Sequence, residues 1–297
     1  MATIRPRAVF VTRETDLARL LARHATREQA RFFLETRGQR IEDLERRDAE
    51  QQAALRSARA AVPGEWRQAE VHRADLDRFL FGPEDVVIAV GQDGLVANVA
   101  KYLDGQPVLG INPSPDLYDG VLVRVPLARL AKLLPAALSG DAPAERRTMV
   151  AATLDTGERL LALNEVFVGH RSHQSARYTI EAEGAREDQA SSGVIVASGT
   201  GATGWARSIL GVAGASLPLD PQEPAAAFLV REPFPSRATG TALRYGRLSG
   251  APLAITSRMN DGGVLFADGM EQDYLPFDWG NRATIGRADR ALNLIVG

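Results

Sequence analysis

Hydrophobic positions in the first half of the chain follow two patterns in turn. Short apolar runs, typical of strands buried on both faces, precede stretches in which apolar residues recur every three or four positions. The clearest example is the run Val86–Val90 and the segment after it, where Leu95, Val99 and Leu103 are four residues apart. Alternating strands and helices of this kind are typical of a doubly wound α/β domain with a mostly parallel sheet.

The same patterns predict the rest of this domain, which we place at residues 1–140. Strands are expected at 8–11, 66–72 and 108–112, and helices at 16–24, 27–62, 75–81 and 127–138. A seam with spacings of three and four runs along the long helix: Ile41, Leu44, Asp48, Gln51, Leu55, Ala58 and Val62. It would suit a coiled-coil dimer or packing against the neighbouring sheet, and its two polar positions favour packing against the sheet.

After a linker at 139–143, the period of the pattern changes to two. The segments 146–154 and 159–168 alternate around Asp155-Thr156-Gly157-Glu158, which predicts a β-hairpin. Further strands are expected at 178–182, 194–197, 226–230, 253–256, 263–267, 282–285 and 292–296. The region 145–275 is therefore predicted to be a second, β-rich and mostly antiparallel domain.

Composition excludes several classes of protein. The net charge of −2 gives no reason to expect binding to nucleic acid or to an anionic membrane. The absence of cysteine excludes disulfides, thiolate nucleophiles and cysteine-bound metals. The only lysines are Lys101 and Lys132, and neither lies in a glycine-rich phosphate loop, so this is not a P-loop enzyme. With no long apolar stretch and no leader sequence, we expect a cytoplasmic protein.

The run Val86–Val90 ends in the corner Gly91-Gln92-Asp93-Gly94, immediately before the predicted helix. A strand, a glycine corner and a helix N-terminus together direct backbone N–H groups and the helix dipole at a bound phosphate. Asp93 would either accept a proton from an attacking hydroxyl or hold a magnesium ion. The alternative is a plain turn in which Asp93 bonds to its own backbone.

A second glycine-rich loop, Gly199–Gly204, matches G-x-G-x-x-G between a predicted strand and a short helix. The chain then runs into Pro218–Pro221 rather than a further strand–helix unit, which argues against a Rossmann dinucleotide site. We expect an anion or ribose site, with hydroxyls from Thr200, Thr203 and Ser208 and an aromatic face from Trp205. The alternative is a loop that serves only packing.

Two other polar features lie in the β-rich region. Asn164-Glu165 interrupts a strongly apolar strand, where an amide and a carboxylate are costly unless one of them faces a ligand, a turn or water. The pair is well suited to ribose hydroxyls and an adenine edge. Asp268-Gly269 is interpreted as a hairpin turn. His170 and His173 are interpreted as surface residues, because no further metal ligands lie nearby in sequence.

Taken in order, the motifs at 91–94, 164–165, 200–203 and 268–269 resemble those of the NAD kinase family. Three segments are most similar to the mitochondrial-type branch and its bacterial relatives: 107–115, 162–169, and Ser191-Ser192-Gly193 followed by Gly199-Thr200-Gly201. The similarity covers most of residues 8–297 and is weakest in 27–62.

The resemblance implies an α/β domain and a β-rich domain, with the C-terminal segment 276–297 returning to the first. It implies that Asp93 is the general base on the adenosine ribose 2′-hydroxyl of NAD, which attacks the γ-phosphate of ATP with Mg²⁺ present. By the same resemblance, the remaining matched residues divide between two ligands. Gly91, Gln92 and Gly94 would line the ATP phosphates, and Asn164, Glu165, Thr200, Gly201, Thr203, Gly204, Trp205 and Ser208 would bind NAD. Homodimers or homotetramers are expected.

Two departures from the family pattern leave alternatives open. Gln92 stands where a second glycine is usual, and Leu95 removes a hydroxyl expected near the phosphates. A kinase of the same superfamily acting on another hydroxyl, such as that of a nucleoside, sugar or lipid, is one alternative. The other is a nucleotide-binding sensor without catalysis.

Overall fold

The computed structural model describes residues 5–297, so the first four residues of the predicted domain 1–140 lie outside the described range. The described residues form two compact units. Unit 1 extends to Glu145 and also includes Asn293–Gly297, and unit 2 comprises Arg146–Leu292. The predicted domain bounds, including the return of 276–297, stay a prediction.

Unit 1 contains a parallel sheet flanked by helices. Its strands pair in the order β2-β1-β3-β4, and Asn293 and Leu294 near the C-terminus extend the sheet by pairing in parallel with Pro107 and Val108. These strands are β1 (Arg7–Thr12), β2 (Arg67–His72), β3 (Asp85–Val90) and β4 (Pro107–Ile111). The helices are α1 (Asp16–His24), α2 (Arg27–Glu35), α3 (Ile41–Ala60), α4 (Asp93–Ala100) and α5 (Leu130–Ser139).

The C-terminal half of the seam packs against the sheet: Ala58 and Val62 share one apolar cluster with Val86 and Ile88 of β3 and with residues of α5. Its N-terminal residues Ile41 and Leu44 pack instead against α1 and α2. Helix α4 contacts β1, β3 and β4, and none of its residues is in that cluster. Because alternate strand residues point to opposite faces, helices cover both faces of the sheet.

The helix predicted over 27–62 is two helices, and this part of the prediction is wrong. Helix α2 ends at Glu35, and Gly38 adopts a left-handed φ of 68° before α3 begins at Ile41. The amide of Gln39 donates to the carbonyl of Leu34, which satisfies a carbonyl at the end of α2. The helix predicted at 75–81 is instead a 3₁₀ helix at Arg73–Arg78.

Unit 2 contains two antiparallel layers with one apolar core between them. One layer has the order β12-β11-β10-β7-β14-β15, and the other is built around β16, β13, β8 and β9 with the hairpin β5–β6. The strands are β5 (Ala144–Leu154), β6 (Arg159–Ala162), β7 (Glu165–His170), β8 (Ala176–Ala182), β9 (Ala185–Ser191), β10 (Val194–Ala197), β11 (Ala226–Val230), β12 (Tyr245–Leu248), β13 (Leu253–Ser257), β14 (Gly263–Ala267), β15 (Tyr274–Pro276) and β16 (Arg282–Ile295).

The core of unit 2 fills the space between these layers. Tyr178 and Ile255 from one layer meet Val166, Val196 and Phe228 from the other, and all five are buried. The outer face of the β7–β10–β11 layer is covered by α6 (Trp205–Val212), through Ala206 and Leu210. The predicted fold class, an α/β domain followed by a β-rich one, is confirmed.

Two strand predictions need correction. The segment 159–168, predicted as one strand, is broken between Ala162 and Glu165, where the side chain of Asp268 takes the backbone N–H groups. Conversely, 282–285 and 292–296, predicted as two strands, are joined in the single strand β16.

Candidate functional site

The corner of unit 1 forms as its sequence predicts. Strand β3 is buried along its whole length, and its last residue is followed by Gly91, whose amide donates to the carbonyl of Ile111 at 2.9 Å. Gln92 caps α4, which begins at Asp93. The N-terminus of α4 and the Gly91–Gly94 backbone therefore lie at the carboxyl end of the parallel sheet, the usual ligand edge of such folds.

Asp93 does not bond to its own turn. Its Oδ1 accepts the amides of Leu122 at 2.8 Å and Val123 at 3.2 Å, and its Oδ2 accepts the amide of Val121 at 3.0 Å. A glycine fixes the same segment from another side, because a Cβ at Gly110 would lie 2.2 Å from the carbonyl oxygen of Leu122. A carboxylate offers about four acceptor sites, so three are used and one, on Oδ2, remains.

A pocket opens beside this corner, lined by residues that follow β1, β3 and β4 and by residues of α3. Gly91 and Gln92 line it, whereas Asp93 and Gly94 do not. Arg13 and Arg47 supply positive charge, and no carboxylate within the described part of unit 1 forms an ion pair with either. Asp16 and Asp48 also line the pocket, and Asp48 accepts the hydroxyl of Thr15 at 2.6 Å.

The two departures at the corner have different consequences. Arg13 donates to Oε1 of Gln92 at 3.2 Å, which leaves the amide N–H groups of Gln92 as donors at the pocket. Leu95 is buried, and a Cβ at Gly91 would lie 3.1 Å from its Cδ2. Position 95 therefore packs beneath the corner, so Leu95 does not contact the pocket.

In unit 2, the segment Leu163–Glu165 is held by a residue distant in sequence. The carboxylate of Asp268 accepts the amides of Leu163 at 2.8 Å, Asn164 at 2.7 Å and Glu165 at 3.3 Å. The amide of Asp268 in turn donates to the carbonyl of Glu165 at 3.1 Å. These bonds explain why the apolar strand is interrupted at Asn164-Glu165.

The glycine-rich loop and Ser198 before it contact the carbonyl groups of the same segment. The amide of Ser198 donates to the carbonyl of Asn164 at 2.9 Å, and its hydroxyl donates to the carbonyl of Leu163. A Cβ at Gly201 would lie 2.1 Å from the carbonyl oxygen of Asn164, so this close approach requires glycine. The structure thus brings the Asn-Glu and Gly-Thr-Gly motifs together within unit 2.

Glu165 is the carboxylate whose acidity this arrangement changes most. Burial, and to a smaller degree the nearby charge of Asp268, raise the pKa of Glu165 to about 7. Carboxyl groups with such values exchange protons near neutral pH and are enriched at functional sites. Glu165 also shares a face of β7 with Phe167, two residues further on.

An aromatic cluster lies on that face. Phe167 stacks on Trp205 with ring centroids 6.0 Å apart, and the guanidinium of Arg231 lies 5.0 Å from the Trp205 ring. Trp205 and Arg231 line two cavities of about 320 and 510 Å³, and Ser208 lines the smaller of them. Arg231 therefore places its guanidinium beside both cavities, with Nη2 3.8 Å from the carboxylate of Glu232.

The other predicted loop residues divide by exposure. Thr200 and Gly201 are buried, and the Thr200 hydroxyl lies 3.4 Å from Nη1 of the buried Arg147. Thr203 and Gly204 are exposed, and the Thr203 hydroxyl donates to the carbonyl of Thr200 at 2.8 Å. Thr200 and Gly201 therefore shape the loop, whereas Thr203, Gly204 and Ser208 present atoms to solvent.

Sequence reasoning did not identify five residues as parts of these sites. Arg13 and Arg47 line the unit 1 pocket, while Ser198, Arg147 and Asp268 support the motifs of unit 2. Asp268 was predicted as a hairpin residue and as part of the Asp-Gly motif of the resemblance, and its position directly before Gly269 gives no signal of its target. Among residues 5–297, no group of three or more histidine or acidic side chains is arranged to hold a metal ion.

Two solved structures share the fold of this chain. A crystal structure of yeast NADH kinase in complex with NADH superposes with a TM-score of 0.60 over 99% of this chain and 84% of the other, at 16% identity. The crystal structure of an NAD kinase from Archaeoglobus fulgidus in complex with ATP gives a TM-score of 0.57 over 97% and 93%, at 18% identity. The chain therefore has the fold of the NAD(H) kinases.

Sequence comparison agrees with the fold. The chain is 29% identical over 155 residues to the NAD kinase of Chlorobaculum tepidum, covering 51% of each, and 29% identical over 135 residues to that of Paraburkholderia phytofirmans, covering 43% and 44%. It spans about half the length of these curated relatives, and no family profile matches it. The predicted resemblance to the NAD kinase family is confirmed. Across residues 5–297 no helix has the length and apolar character of a membrane span.

Proposed function

We propose that this protein transfers the γ-phosphoryl group of ATP to the 2′-hydroxyl of the adenosine ribose of NAD, giving NADP. The observation that carries the proposal is the joining of Asn164-Glu165 to the Gly199–Gly201 loop in unit 2, in a chain whose relatives are NAD kinases. Neighbours in fold whose structures contain NADH and ATP support the choice of ligands.

Unit 1 is assigned the phosphoryl donor. Its pocket combines the backbone of Gly91, the amide of Gln92 and the guanidinium groups of Arg13 and Arg47. Arginine donates to phosphate oxygens with a geometry that suits two bonds at once, so these side chains would bind the ATP phosphates. Gly94 follows Asp93 in the first turn of α4, where its amide is one of the unpaired N–H groups of the helix.

Asp93 is assigned the general base. The ribose oxygen would form a bond to the γ-phosphorus as the bond to the β,γ-bridging oxygen breaks, and the hydroxyl proton would pass to Oδ2 of Asp93. Oδ2 accepts one amide and keeps one lone pair for this step. Positioned carboxylates of this kind contribute roughly 10²–10⁴-fold to rate, and alignment of the phosphates supplies much of the rest.

Unit 2 is assigned NAD. Asn164 and Glu165 would read the ribose hydroxyls and the adenine edge, and Trp205 offers an aromatic face. Thr203, Gly204 and Ser208 would contact the dinucleotide directly, while Thr200 and Gly201 hold the loop in shape. Arg231, beside Trp205, adds a positive charge suited to a phosphate group.

Magnesium fits this scheme as a companion of ATP. The described residues offer no preformed cage of acidic ligands, and Mg²⁺ is commonly bound mainly by phosphate oxygens and water. When bound, the ion would neutralise charge on the phosphates, and Asp16 and Asp48 are the carboxylates that line the pocket. A cytoplasmic location and a homodimer or homotetramer stay predictions.

Purified protein incubated with NAD, ATP and Mg²⁺ tests the proposal, with NADP measured by an NADP-specific dehydrogenase. NADP formation is expected, and its loss in Glu165→Ala with retained folding would support the assignment of unit 2. Faster consumption of ATP with nucleosides, sugars or lipid alcohols than with NAD would indicate that the phosphoryl acceptor is another hydroxyl.

A second candidate function is nucleotide binding without catalysis. The observation that favours it is the engagement of Asp93 by three amides, which suffices to explain an acidic residue at this corner. Calorimetry separates the two functions. Tight binding of NAD or ATP without any turnover supports the sensor, and NADP formation excludes it.

A further inference from the structure

We propose that Asp268 is the positioning residue of the NAD site assigned to unit 2, and this proposal rests on that assignment. By holding the backbone of Leu163, Asn164 and Glu165, Asp268 sets the direction in which the Asn164 and Glu165 side chains leave the chain. Asp268 itself contacts no ligand in this scheme.

The hairpin that contains Asp268 closes through backbone hydrogen bonds. The hairpin between β14 and β15 is closed by backbone bonds, from the amide of Met270 to the carbonyl of Ala267 at 2.9 Å and from Asp273 to Met270 at 3.1 Å. An aspartate in an ordinary turn bonds to the backbone two residues on. The Asp268 carboxylate instead accepts three amides of the Leu163–Glu165 segment.

The position of Asp268 is energetically unfavourable without its partners. Asp268 is 9% exposed and adopts a left-handed φ of 50°, and the next residue, Gly269, has a φ of 67°. Burial of a carboxylate is unfavourable unless hydrogen bonds replace its lost water, and three amides at 2.7–3.3 Å do so here. Two of the three amides, those of Leu163 and Asn164, lie outside the strands, because β6 ends at Ala162 and β7 begins at Glu165.

The Leu163–Glu165 segment is held through its carbonyl groups as well as through its amides. Ser198 binds its carbonyl groups and Gly201 lies against Asn164, so removing Asp268 would release only the amide side. The segment would then rotate about contacts that remain. Such a change alters the direction of the two side chains without unfolding unit 2, which predicts weaker binding of NAD rather than loss of the fold.

The test compares Asp268→Asn with Asp278→Asn. Asparagine tolerates a left-handed φ and keeps one carbonyl oxygen, but its NH₂ group would face the amide of Leu163. Asp278 is the matched control, because its carboxylate accepts one amide, that of Gly263 at 3.2 Å, at the opposite end of the same strand β14. Asp268→Glu, which keeps the charge and displaces the oxygens, is the second variant if Asp268→Asn does not fold.

For Asp268→Asn we expect a rise of about tenfold or more in the Kd and KM for NAD, which corresponds to at least ~1.4 kcal/mol, with kcat and the KM for ATP within about twofold of wild type. Hydrogen exchange at the amides of 163–165 should accelerate about tenfold or more, and Asp278→Asn should change neither quantity. Asp268→Glu should fall between wild type and Asp268→Asn.

The outcomes separate this proposal from the proposed function. If wild type neither binds NAD nor forms NADP, the proposed function fails whatever the variants do. If wild type is active and Asp268→Asn binds NAD as tightly as wild type, the positioning role is overturned and the function stands. Unchanged exchange at 163–165 in Asp268→Asn would show that the amide clamp itself is absent.

Discussion

Each of the two units contains an aspartate whose carboxylate accepts three backbone amides, but the two aspartates are assigned different roles. In unit 1 the carboxylate of Asp93 accepts the amides of 121–123, and a Cβ at Gly110 would lie 2.2 Å from a carbonyl of that segment. In unit 2 the carboxylate of Asp268 accepts the amides of 163–165, and a Cβ at Gly201 would lie 2.1 Å from a carbonyl there. In each case an aspartate and a glycine hold one short segment that lies outside the strands or at the start of one.

The two units differ in whether the aspartate, or the segment that it holds, contains the residues proposed to act on the ligands. In unit 1 the motif residue is the clamp itself, and the segment it holds, Val121-Leu122-Val123, is apolar. In unit 2 the clamp presents the motif residues, Asn164 and Glu165. A carboxylate that receives three amides therefore does not by itself mark a catalytic group, because the same set of bonds serves positioning in unit 2.

The largest expected effect is on kcat, and it would distinguish the role of Asp93 from that of Asp268. If Asp93 is the base, Asp93→Asn should lower kcat by roughly 10²–10⁴-fold with NAD binding retained, because the amide cannot accept the hydroxyl proton. Steady-state kinetics and calorimetry with NAD measure the two quantities. A kcat within threefold of wild type would make Asp93 a clamp only, equivalent to Asp268.

The glycines test whether both segments are held by close packing. Gly110→Ala and Gly201→Ala should each lower the free energy of unfolding by about 3 kcal/mol or more, because the added Cβ meets a backbone carbonyl that has no room to move. Urea unfolding measures this change. Gly211→Ala in α6, where a Cβ meets nothing within 4 Å, is the control and should be neutral or slightly stabilising.

The raised pKa of Glu165 in unit 2 predicts that the stability of the protein depends on pH. The Glu165 pKa of about 7 in the folded protein exceeds the 4.5 of an unperturbed glutamate, so the folded state binds the proton more tightly than the unfolded state. This group therefore favours folding below about pH 4.5, and its contribution is lost as the pH rises towards 7. Glu165→Gln should stabilise the protein at pH 8 by up to about 3 kcal/mol and leave it unchanged at pH 4. Equal effects at both pH values in urea unfolding would contradict the raised pKa.

The smallest expected effect concerns the unit 1 pocket. Arg13→Ala removes a guanidinium that binds Gln92 and faces the pocket, and it should weaken ATP binding by about tenfold, or ~1.4 kcal/mol, without changing the affinity for NAD. Arg31→Ala, which removes an exposed ion pair with Glu35 on α2, is the matched control. Calorimetry with ATP measures both, and equal affinities for the two variants would exclude Arg13 from the donor site.

Much of the fold could be predicted from local pattern. The buried run at β3, the corner after it and the hairpin at 155–158 follow from periodicity and turn chemistry, which involve neighbours in sequence. One error falls where a distant contact overrides that pattern. The strand predicted over 159–168 breaks because Asp268, more than 100 residues away, takes its amides.

The sequence alone determined the fold class, the position of the glycine corner, the Asn-Glu pair and the resemblance to NAD kinases, because each depends on residue types at fixed short spacings. Only the tertiary structure decided that Asp93 holds 121–123, that Asp268 holds 163–165, and that Glu165 has a raised pKa. These properties come from hydrogen bonds and burial between segments far apart in the chain. The sequence around a residue does not indicate which distant backbone groups that residue will contact.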